Sequence, residues 1–124
     1  MWMRLLLLTM LAAMVVPVDA GERVGLHVTP WIAFAPADLR VRAMVDVNKD
    51  NRFLEIIAES EGFYRSSEIE LAGDLAPRTT TIEFRSLPGG EYDVKAIVKG
   101  VNGKVLATTL QSIRVVPSGN ASPR

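Results

Sequence analysis

The stretch LRVRAMVDV, residues 39–47, decides the fold class of this 124-residue chain. Apolar residues occupy every odd position of the stretch, and three of the four even positions carry a charge. A two-residue period places alternate side chains on opposite faces of a β-strand. The stretch therefore predicts a strand with one face in a core and the other face in water.

The same period recurs along the rest of the chain, in segments separated by glycine, proline, asparagine and aspartate. Further strands are predicted at 24–28, 52–60, 63–71, 79–85, 92–98 and 104–116. Residues 31–37 are predicted as a connection, and a change of apolar phase predicts a bulge near Gln111. These signals predict an all-β domain over residues 21–117, a seven-stranded antiparallel sandwich, with a small barrel as the alternative. Residues 118–124 are predicted to be a disordered tail.

The first 20 residues are typical of a secretory signal peptide. Arg4 supplies one positive charge, residues 5–16 are apolar apart from Thr9, and a small-residue cleavage pattern ends at Ala20. The run is shorter than the 20 or so apolar residues that a membrane span needs. We therefore expect a cleaved signal, with a retained anchor as the alternative, and a bacterial periplasmic or secreted location.

Charge and cysteine content narrow the function classes. The chain has 14 basic and 14 acidic residues, and loss of Arg4 with Asp19 on cleavage would keep this balance. A chain without net charge is not expected to attract nucleic acid or an anionic membrane. Cysteine is absent, so the domain has to be stabilised by its core alone.

Residues 87–96, LPGGEYDVKA, carry a family resemblance. They resemble the start of the sixth strand in fibronectin type III and related immunoglobulin-like domains, in which a leucine and a proline-glycine turn precede a tyrosine. The resemblance implies a tyrosine corner, with the Tyr92 hydroxyl bonded to backbone upstream. The chain departs from antibody-type domains because it lacks their cysteine pair and has no tryptophan on the third strand. Phe53 or Leu54 would supply that bulk.

Residue types suited to catalysis or metal binding are scarce. His27 is the only histidine, and the alternation around it predicts a side chain in solvent. No cysteine and no glycine-flanked serine elbow of the form G-x-S-x-G is present to supply its nucleophile. One histidine without cysteine does not make a zinc site. We therefore expect no enzyme activity, no cofactor and no metal, and a small hydrolase dependent on His27 is the last alternative.

Residues 46–51, DVNKDN, resemble the opening of a calcium loop, because oxygen-bearing side chains recur at alternate positions. The pattern then fails, since Asn51 stands where the loop needs glycine and Ile57 where it needs glutamate. A polar turn stabilised by local backbone bonds explains the stretch equally well.

Four aromatic residues are the candidate contacts for a ligand or partner: Trp31, Phe34, Phe63 and Tyr64. They would stack on a sugar or anchor a protein if exposed, and would cap the core if buried. We expect a non-catalytic binding or structural module that engages a protein of the cell envelope through loops or a sheet edge. A carbohydrate-binding module is the alternative.

Overall fold

The computed structural model describes residues 23–118, which form eight β-strands and no α-helix. Two single-turn 3₁₀ segments, Gly73–Leu75 and Val101–Gly103, lie in connections. The strands are β1 (Val24–Thr29), β2 (Ile32–Phe34), β3 (Ala37–Val45), β4 (Phe53–Ser60), β5 (Phe63–Glu70), β6 (Thr79–Leu87), β7 (Gly90–Lys99) and β8 (Val105–Val116). The predicted all-β class is confirmed.

The strands form two sheets. The smaller, sheet A, has the order β1-β3-β6, and the larger, sheet B, has the order β2-β8-β7-β4-β5. Neighbours are antiparallel except β2 and β8, which are parallel. The core is apolar and lies between the sheets. In the stretch that decided the fold class, positions 39, 41, 43 and 45 are buried and the three between them are exposed, as predicted, whereas Val47 lies beyond the end of β3 and is exposed.

The strand count is where the sequence prediction falls short. The connection predicted over residues 31–37 contains the three-residue strand β2, so residues 23–118 form eight strands where seven were predicted, and they are not wholly antiparallel. Pro30 and Pro36 flank this strand, and both follow cis peptide bonds. A three-residue strand between prolines shows too few alternations to be recognised as a period.

The predicted bulge near Gln111 is also misplaced. The pairing of β7 with β8 changes register between Val98 and Lys99, which lie opposite Ala107 and Val105. Around Gln111 the register is continuous. The apolar pattern of the sequence changes phase there because the polar Gln111 takes an inward position, while Leu110 lies on the outer face and is exposed.

Two predicted turns have the expected local chemistry. Asn102 and Gly103 have φ angles of 63° and 74°, the left-handed conformations that this residue pair tolerates. The polar loop after β3 leads from sheet A to sheet B, so it crosses between sheets and does not close a hairpin. Within it, the Asn48 Oδ1 accepts a hydrogen bond from the Asp50 N–H at 2.8 Å.

The predicted signal peptide, residues 1–20, lies outside the described residues, as does most of the predicted tail. Between residues 23 and 118, no helix has the length and apolar character needed to cross a membrane.

Candidate functional site

Three large apolar side chains are exposed together at one edge of sheet B. Trp31 is 67% exposed, Ile32 42% and Phe34 72%. Ala33 and Ala35, which alternate with Ile32 and Phe34, pack against the core. We call Trp31, Ile32 and Phe34 the β2 patch. A contiguous group of exposed large apolar side chains indicates an interaction site far better than one scattered residue does.

The backbone under the β2 patch is fixed by the end of β8. Ile32 lies opposite Arg114 and Phe34 opposite Val116 in a parallel register. The Arg114 N–H donates to the Trp31 carbonyl at 3.0 Å, and the Ala35 N–H donates to the Val116 carbonyl at 2.8 Å. The patch is therefore presented by a hydrogen-bonded strand and not by an unsupported loop.

The flanking prolines restrict how another chain could use this edge. Proline has no N–H to donate to a neighbouring strand. With Pro30 and Pro36 on either side, β2 offers an added strand only a few residues of backbone. The apolar side chains, and not the strand edge, are thus the part of β2 that can bind.

The other two predicted contact residues lie elsewhere. Phe63 is half-buried against the core and meets Tyr92 edge to face, with ring centroids 5.9 Å apart. The Arg65 guanidinium lies 5.1 Å from the centroid of the Phe63 ring. Tyr64 is 58% exposed, but it lies on β5, at the opposite edge of sheet B from β2. The structure therefore brings Trp31 and Phe34 together and separates them from Phe63 and Tyr64.

Tyr92 is buried, and its hydroxyl donates to the Pro88 carbonyl at 2.7 Å. Burial raises the pKa of the Tyr92 phenol, while a hydrogen bond with the Ser60 side chain and the charge of Arg65 act in the opposite direction. This bond to a backbone carbonyl supplies the partner that the hydroxyl of a buried phenol needs.

The outer faces of the two sheets differ in charge. Sheet A exposes three arginines and two acids, a net charge of +1; these residues are Arg40, Arg42, Arg85, Asp38 and Glu83. The outer face of sheet B carries six acids and three bases, a net charge of −3; these residues are Glu55, Glu59, Glu68, Glu70, Glu91, Asp93, Lys95, Lys99 and Arg114. Arg65 of β5 is exposed as well, but it lies on the other face of this sheet, opposite the buried Ala58. The neutral sum of the sequence conceals this separation.

Most bases on sheet B are paired, whereas the central arginines of sheet A are not. Lys99 Nζ lies 2.8 Å from Glu55 Oε1 and 4.0 Å from Glu68 Oε2. The hydrogen bond to Glu55 raises the pKa of the Lys99 ammonium, against the opposing effect of desolvation. Within residues 23–118, no salt bridge involves Arg40 or Arg42.

Several polar groups of residues 46–51 form hydrogen bonds within this loop or with Arg52. Asn51 is buried, and its Nδ2 donates to the Asp46 carbonyl at 3.0 Å. Arg52 Nη1 donates to the carbonyls of Lys49 and Asn51. These bonds stabilise the loop that connects β3 of sheet A with β4 of sheet B.

Ligands for a metal are not gathered anywhere in the part of the chain that the structure describes. No group of three or more histidine, cysteine, aspartate or glutamate side chains within residues 23–118 could hold a metal ion. His27, the only histidine in the sequence, is exposed on β1, as predicted.

Comparisons with known proteins place the fold. The chain is similar to a superoxide reductase (neelaredoxin) from Ignicoccus hospitalis, with a TM-score of 0.60 and 14% identity over 76% of this chain and 80% of that one. It is also similar to part of a family 76 glycoside hydrolase from a bovine Bacteroides thetaiotaomicron strain. That match has a TM-score of 0.55 and 17% identity, covering 77% of this chain and 21% of the hydrolase. No protein-family model and no curated protein sequence matches the chain.

These likenesses correct two predictions. The expected kinship with fibronectin type III and immunoglobulin-like modules is wrong, because the similar structures include superoxide reductases. The residues 87–96 that suggested it specify a turn and a buried tyrosine, which are local features of many β-folds. The expected non-catalytic module for a protein or carbohydrate partner is contradicted too, because redox enzymes share the fold. At these identities the likeness shows the fold alone.

The residues of this chain do not fit a redox metal centre. Reduction of superoxide needs a redox-active group, and transition metals are held in proteins by several histidine, cysteine or carboxylate ligands. This chain supplies one exposed histidine, no cysteine and no ligand cluster within residues 23–118. The likeness in fold is therefore not accompanied by a matching ligand set.

Proposed function

We propose that this chain is an exported lipid-docking domain that rests on a bilayer surface through the β2 patch. Tryptophan and phenylalanine are favoured at the boundary between lipid headgroups and acyl chains, where an apolar ring meets a polar environment. The joint exposure of Trp31, Ile32 and Phe34 on one edge strand is the observation that carries the proposal.

The size of the patch favours a bilayer over a folded protein partner. Aromatic side chains bury 150–250 Å² each, so the exposed fractions here amount to on the order of 300 Å². A stable protein interface buries about 800 Å² on each partner. At about 25 cal/mol per Å², insertion of this area would contribute roughly 7 kcal/mol before the cost of restricting the protein at the surface. A favourable insertion energy of this size, reduced by the cost of restricting the protein, is suited to reversible docking.

Rigid presentation supports the same conclusion. The hydrogen bonds of β2 to β8 fix the backbone that carries these exposed side chains before any contact is made. Little conformational entropy is then lost when they insert. A signal peptide at residues 1–20, which remains a prediction, would deliver the domain to a compartment bounded by bilayers.

The proposed docking function involves no redox-active metal held by the residues of this chain. It takes from the superoxide reductases their fold and nothing of their activity, because the ligand set is missing from residues 23–118. In this account the shared β-scaffold serves to present an apolar edge.

Fluorescence of Trp31 tests the docking. The sequence contains two tryptophans, so Trp2→Phe leaves Trp31 as the only reporter in the full chain. Addition of phospholipid vesicles should shift its emission to shorter wavelength, because the indole leaves water. The matched control carries Trp2→Phe, Trp31→Phe and Tyr64→Trp, which moves the reporter to the far edge of sheet B and keeps an aromatic residue in the patch.

The control reporter at position 64 should not respond to vesicles. The proposal fails if Trp31 emission is unchanged at saturating lipid, or if the two reporters shift equally. Because each reporter describes its own surroundings, attachment of the chain by its N-terminal apolar run would not imitate the expected difference.

A further inference from the structure

We infer that the β2 patch is part of a larger uncharged corner of the sandwich, and that the bilayer surface on which this corner rests carries no net charge. The uncharged corner consists of residues 30–36, 88–89 and 116–117, none of which is charged. This inference rests on the proposed function. It extends the docking surface and names the class of lipid, a zwitterionic phospholipid such as phosphatidylcholine.

Contacts between neighbouring strand ends make the uncharged corner continuous. Phe34 lies opposite Val116 in the parallel pairing of β2 with β8, and the Ala35 N–H donates to the Val116 carbonyl at 2.8 Å. Pro117 follows Val116 and lies against the turn between β6 and β7, since a Cβ added to Gly89 would lie 3.0 Å from the Pro117 Cα. Gly89 and Pro117 are both exposed. Uncharged residues therefore continue the β2 patch from β8 towards the start of β7.

The two ends of the sandwich differ in charge. The uncharged corner lies at the end where the chain passes from β1 to β3, from β4 to β5 and from β6 to β7, and these three connections contain one charged residue, Glu61. The three connections at the opposite end contain seven charged residues, which are Asp46, Lys49, Asp50, Arg52, Asp74, Arg78 and Lys104. Charged side chains are costly to bring into a bilayer. The end that carries the β2 patch is therefore the end suited to contact with lipid.

The charge next to the β2 patch is matched. Arg114 lies opposite Ile32, on the same outer face of sheet B. Its Nε lies 3.4 Å from Oε2 of Glu91, the residue that faces it on β7. The pair adds no net charge beside the patch, so an anionic headgroup would find no unmatched base there. Surfaces that bind anionic lipids do so instead through clusters of lysine and arginine.

Acids on the outer face of sheet B disfavour an anionic surface further. Asp93 lies opposite Ser112, four residues of β8 before Val116. At about 3.3 Å per residue, this places Asp93 roughly 13 Å along the strands from the row of Phe34, beyond the depth of about 5–10 Å to which an apolar face enters a bilayer. Asp93 would therefore remain in water above the lipid, where a negative surface would repel it. A zwitterionic surface exerts no such repulsion.

Titration of Trp31 emission with two kinds of vesicle tests the class of lipid. The Trp2→Phe chain is titrated with phosphatidylcholine vesicles and with vesicles of equimolar phosphatidylcholine and phosphatidylglycerol. The affinity for the mixed vesicles should be no higher, and added salt should not weaken binding to phosphatidylcholine. Tighter binding to the mixed vesicles would overturn the inference and leave docking itself intact. Unchanged Trp31 emission with both vesicles would instead overturn the docking function.

Removal of the acid that matches Arg114 should create a preference for anionic lipid. In the Trp2→Phe chain, Glu91→Gln leaves Arg114 unmatched and should raise the affinity for the mixed vesicles about five-fold relative to phosphatidylcholine. Glu70→Gln is the matched control, because it removes the same charge on β5, at the far edge of sheet B and opposite Phe53. It should leave the ratio of the two affinities unchanged. Equal ratios in the two variants would overturn the assignment of lipid class.

Two further reporters test the extent of the uncharged corner. The full chain with Trp2→Phe, Trp31→Phe and Pro117→Trp has its only tryptophan beside Val116, and the emission should shift to shorter wavelength with phosphatidylcholine vesicles. The same chain with Val101→Trp in place of Pro117→Trp has its reporter at the opposite end, where Val101 is 58% exposed, and should not shift. The extended surface is overturned if the reporter at position 117 stays unshifted while Trp31 responds, or if the reporters at 117 and 101 shift alike.

Discussion

The side-chain amide of Gln111 forms both of its hydrogen bonds with the backbone of Val28. The Val28 N–H donates to Gln111 Oε1 at 3.1 Å, and Gln111 Nε2 donates to the Val28 carbonyl at 3.3 Å. β8 and β1 belong to different sheets, so this one side chain joins the sheets along the side of the molecule that carries β2. β1 is an edge strand of sheet A, and the Gln111 side chain supplies Val28 with the hydrogen bonds that a neighbouring strand would otherwise provide.

We predict that Gln111→Leu lowers the free energy of unfolding by about 1–3 kcal/mol. The substitution leaves the N–H and carbonyl of the buried Val28 without their Gln111 partners, which costs more than an exposed bond would. Urea denaturation measures the change. Ser112→Ala, on the exposed outer face next to it, should stay within about 0.5 kcal/mol. Equal losses in the two variants would contradict the bridging role of Gln111.

Tyr92→Phe should also destabilise the fold, by about 1–2 kcal/mol, because the Pro88 carbonyl loses its donor. The ring remains, so its packing against Phe63 is retained. Tyr64→Phe is the matched control, since Tyr64 is exposed and should tolerate the loss of its hydroxyl. Thermal or urea unfolding of both variants checks this. A neutral result for Tyr92→Phe would show that the buried bond contributes nothing.

Stability should fall in alkaline solution. The pKa of Tyr92 is raised by burial and that of Lys99 by its bond to Glu55, so each group keeps its proton more firmly when folded than when unfolded. Their contributions are complete below the unfolded values of about 10 and are lost as pH rises through the folded ones. Unfolding free energies measured between pH 8 and 11, a range of about three units around these values, should decline less for Tyr92→Phe. An equal decline in that variant would contradict the assignment.

Gly73→Ala should cost about 1–3 kcal/mol of stability. Gly73 has a φ of 57°, and an added Cβ would lie 2.9 Å from the carbonyl oxygen of Lys49. The crossover loop between the sheets would have to move to make room for it. Gly62→Ala is the control, because a Cβ there meets nothing within 4 Å. The account of this loop is wrong if both substitutions are tolerated alike.

Metal binding should be weak. After incubation with Fe(II) or Zn(II) and exhaustive dialysis, we expect the chain to retain far less than one equivalent of metal, because its described residues provide no ligand cluster. Elemental analysis measures the retained metal. Retention of one equivalent that is abolished by His27→Ala would contradict this expectation and revive redox chemistry as a function.

Long strands were predictable from the sequence because one face of each is buried. The alternation in β3 and the apolar positions of β7 specify their inward faces without any knowledge of neighbours. The short strand β2 was not predictable in this way, because its position depends on pairing with β8, more than 80 residues later. The bulge was wrongly predicted near Gln111 for a related reason. The inward position of this glutamine depends on its hydrogen bonds to Val28, a residue of another strand that the local sequence does not identify.

The candidate site was predictable in part. Trp31 and Phe34 were singled out, but an aromatic residue in a connection can cap a core or face water, and the sequence does not distinguish these outcomes. Phe63 and Tyr64 did carry a signal, since consecutive residues of a strand point to opposite faces. Only one of the two could therefore face the core; the structure packs Phe63 against it and exposes Tyr64. The separation of charge between the sheets could not be predicted, because it depends on which strands belong to which sheet.

Contact quenching of Trp31 by brominated lipid is the most direct test of docking through β2. In the Trp2→Phe chain, vesicles whose acyl chains carry bromine near the headgroup should quench Trp31 strongly, while acrylamide in the water should lose access to it. The account is contradicted if brominated lipid leaves Trp31 emission unchanged while acrylamide quenches it as fully as in the absence of vesicles.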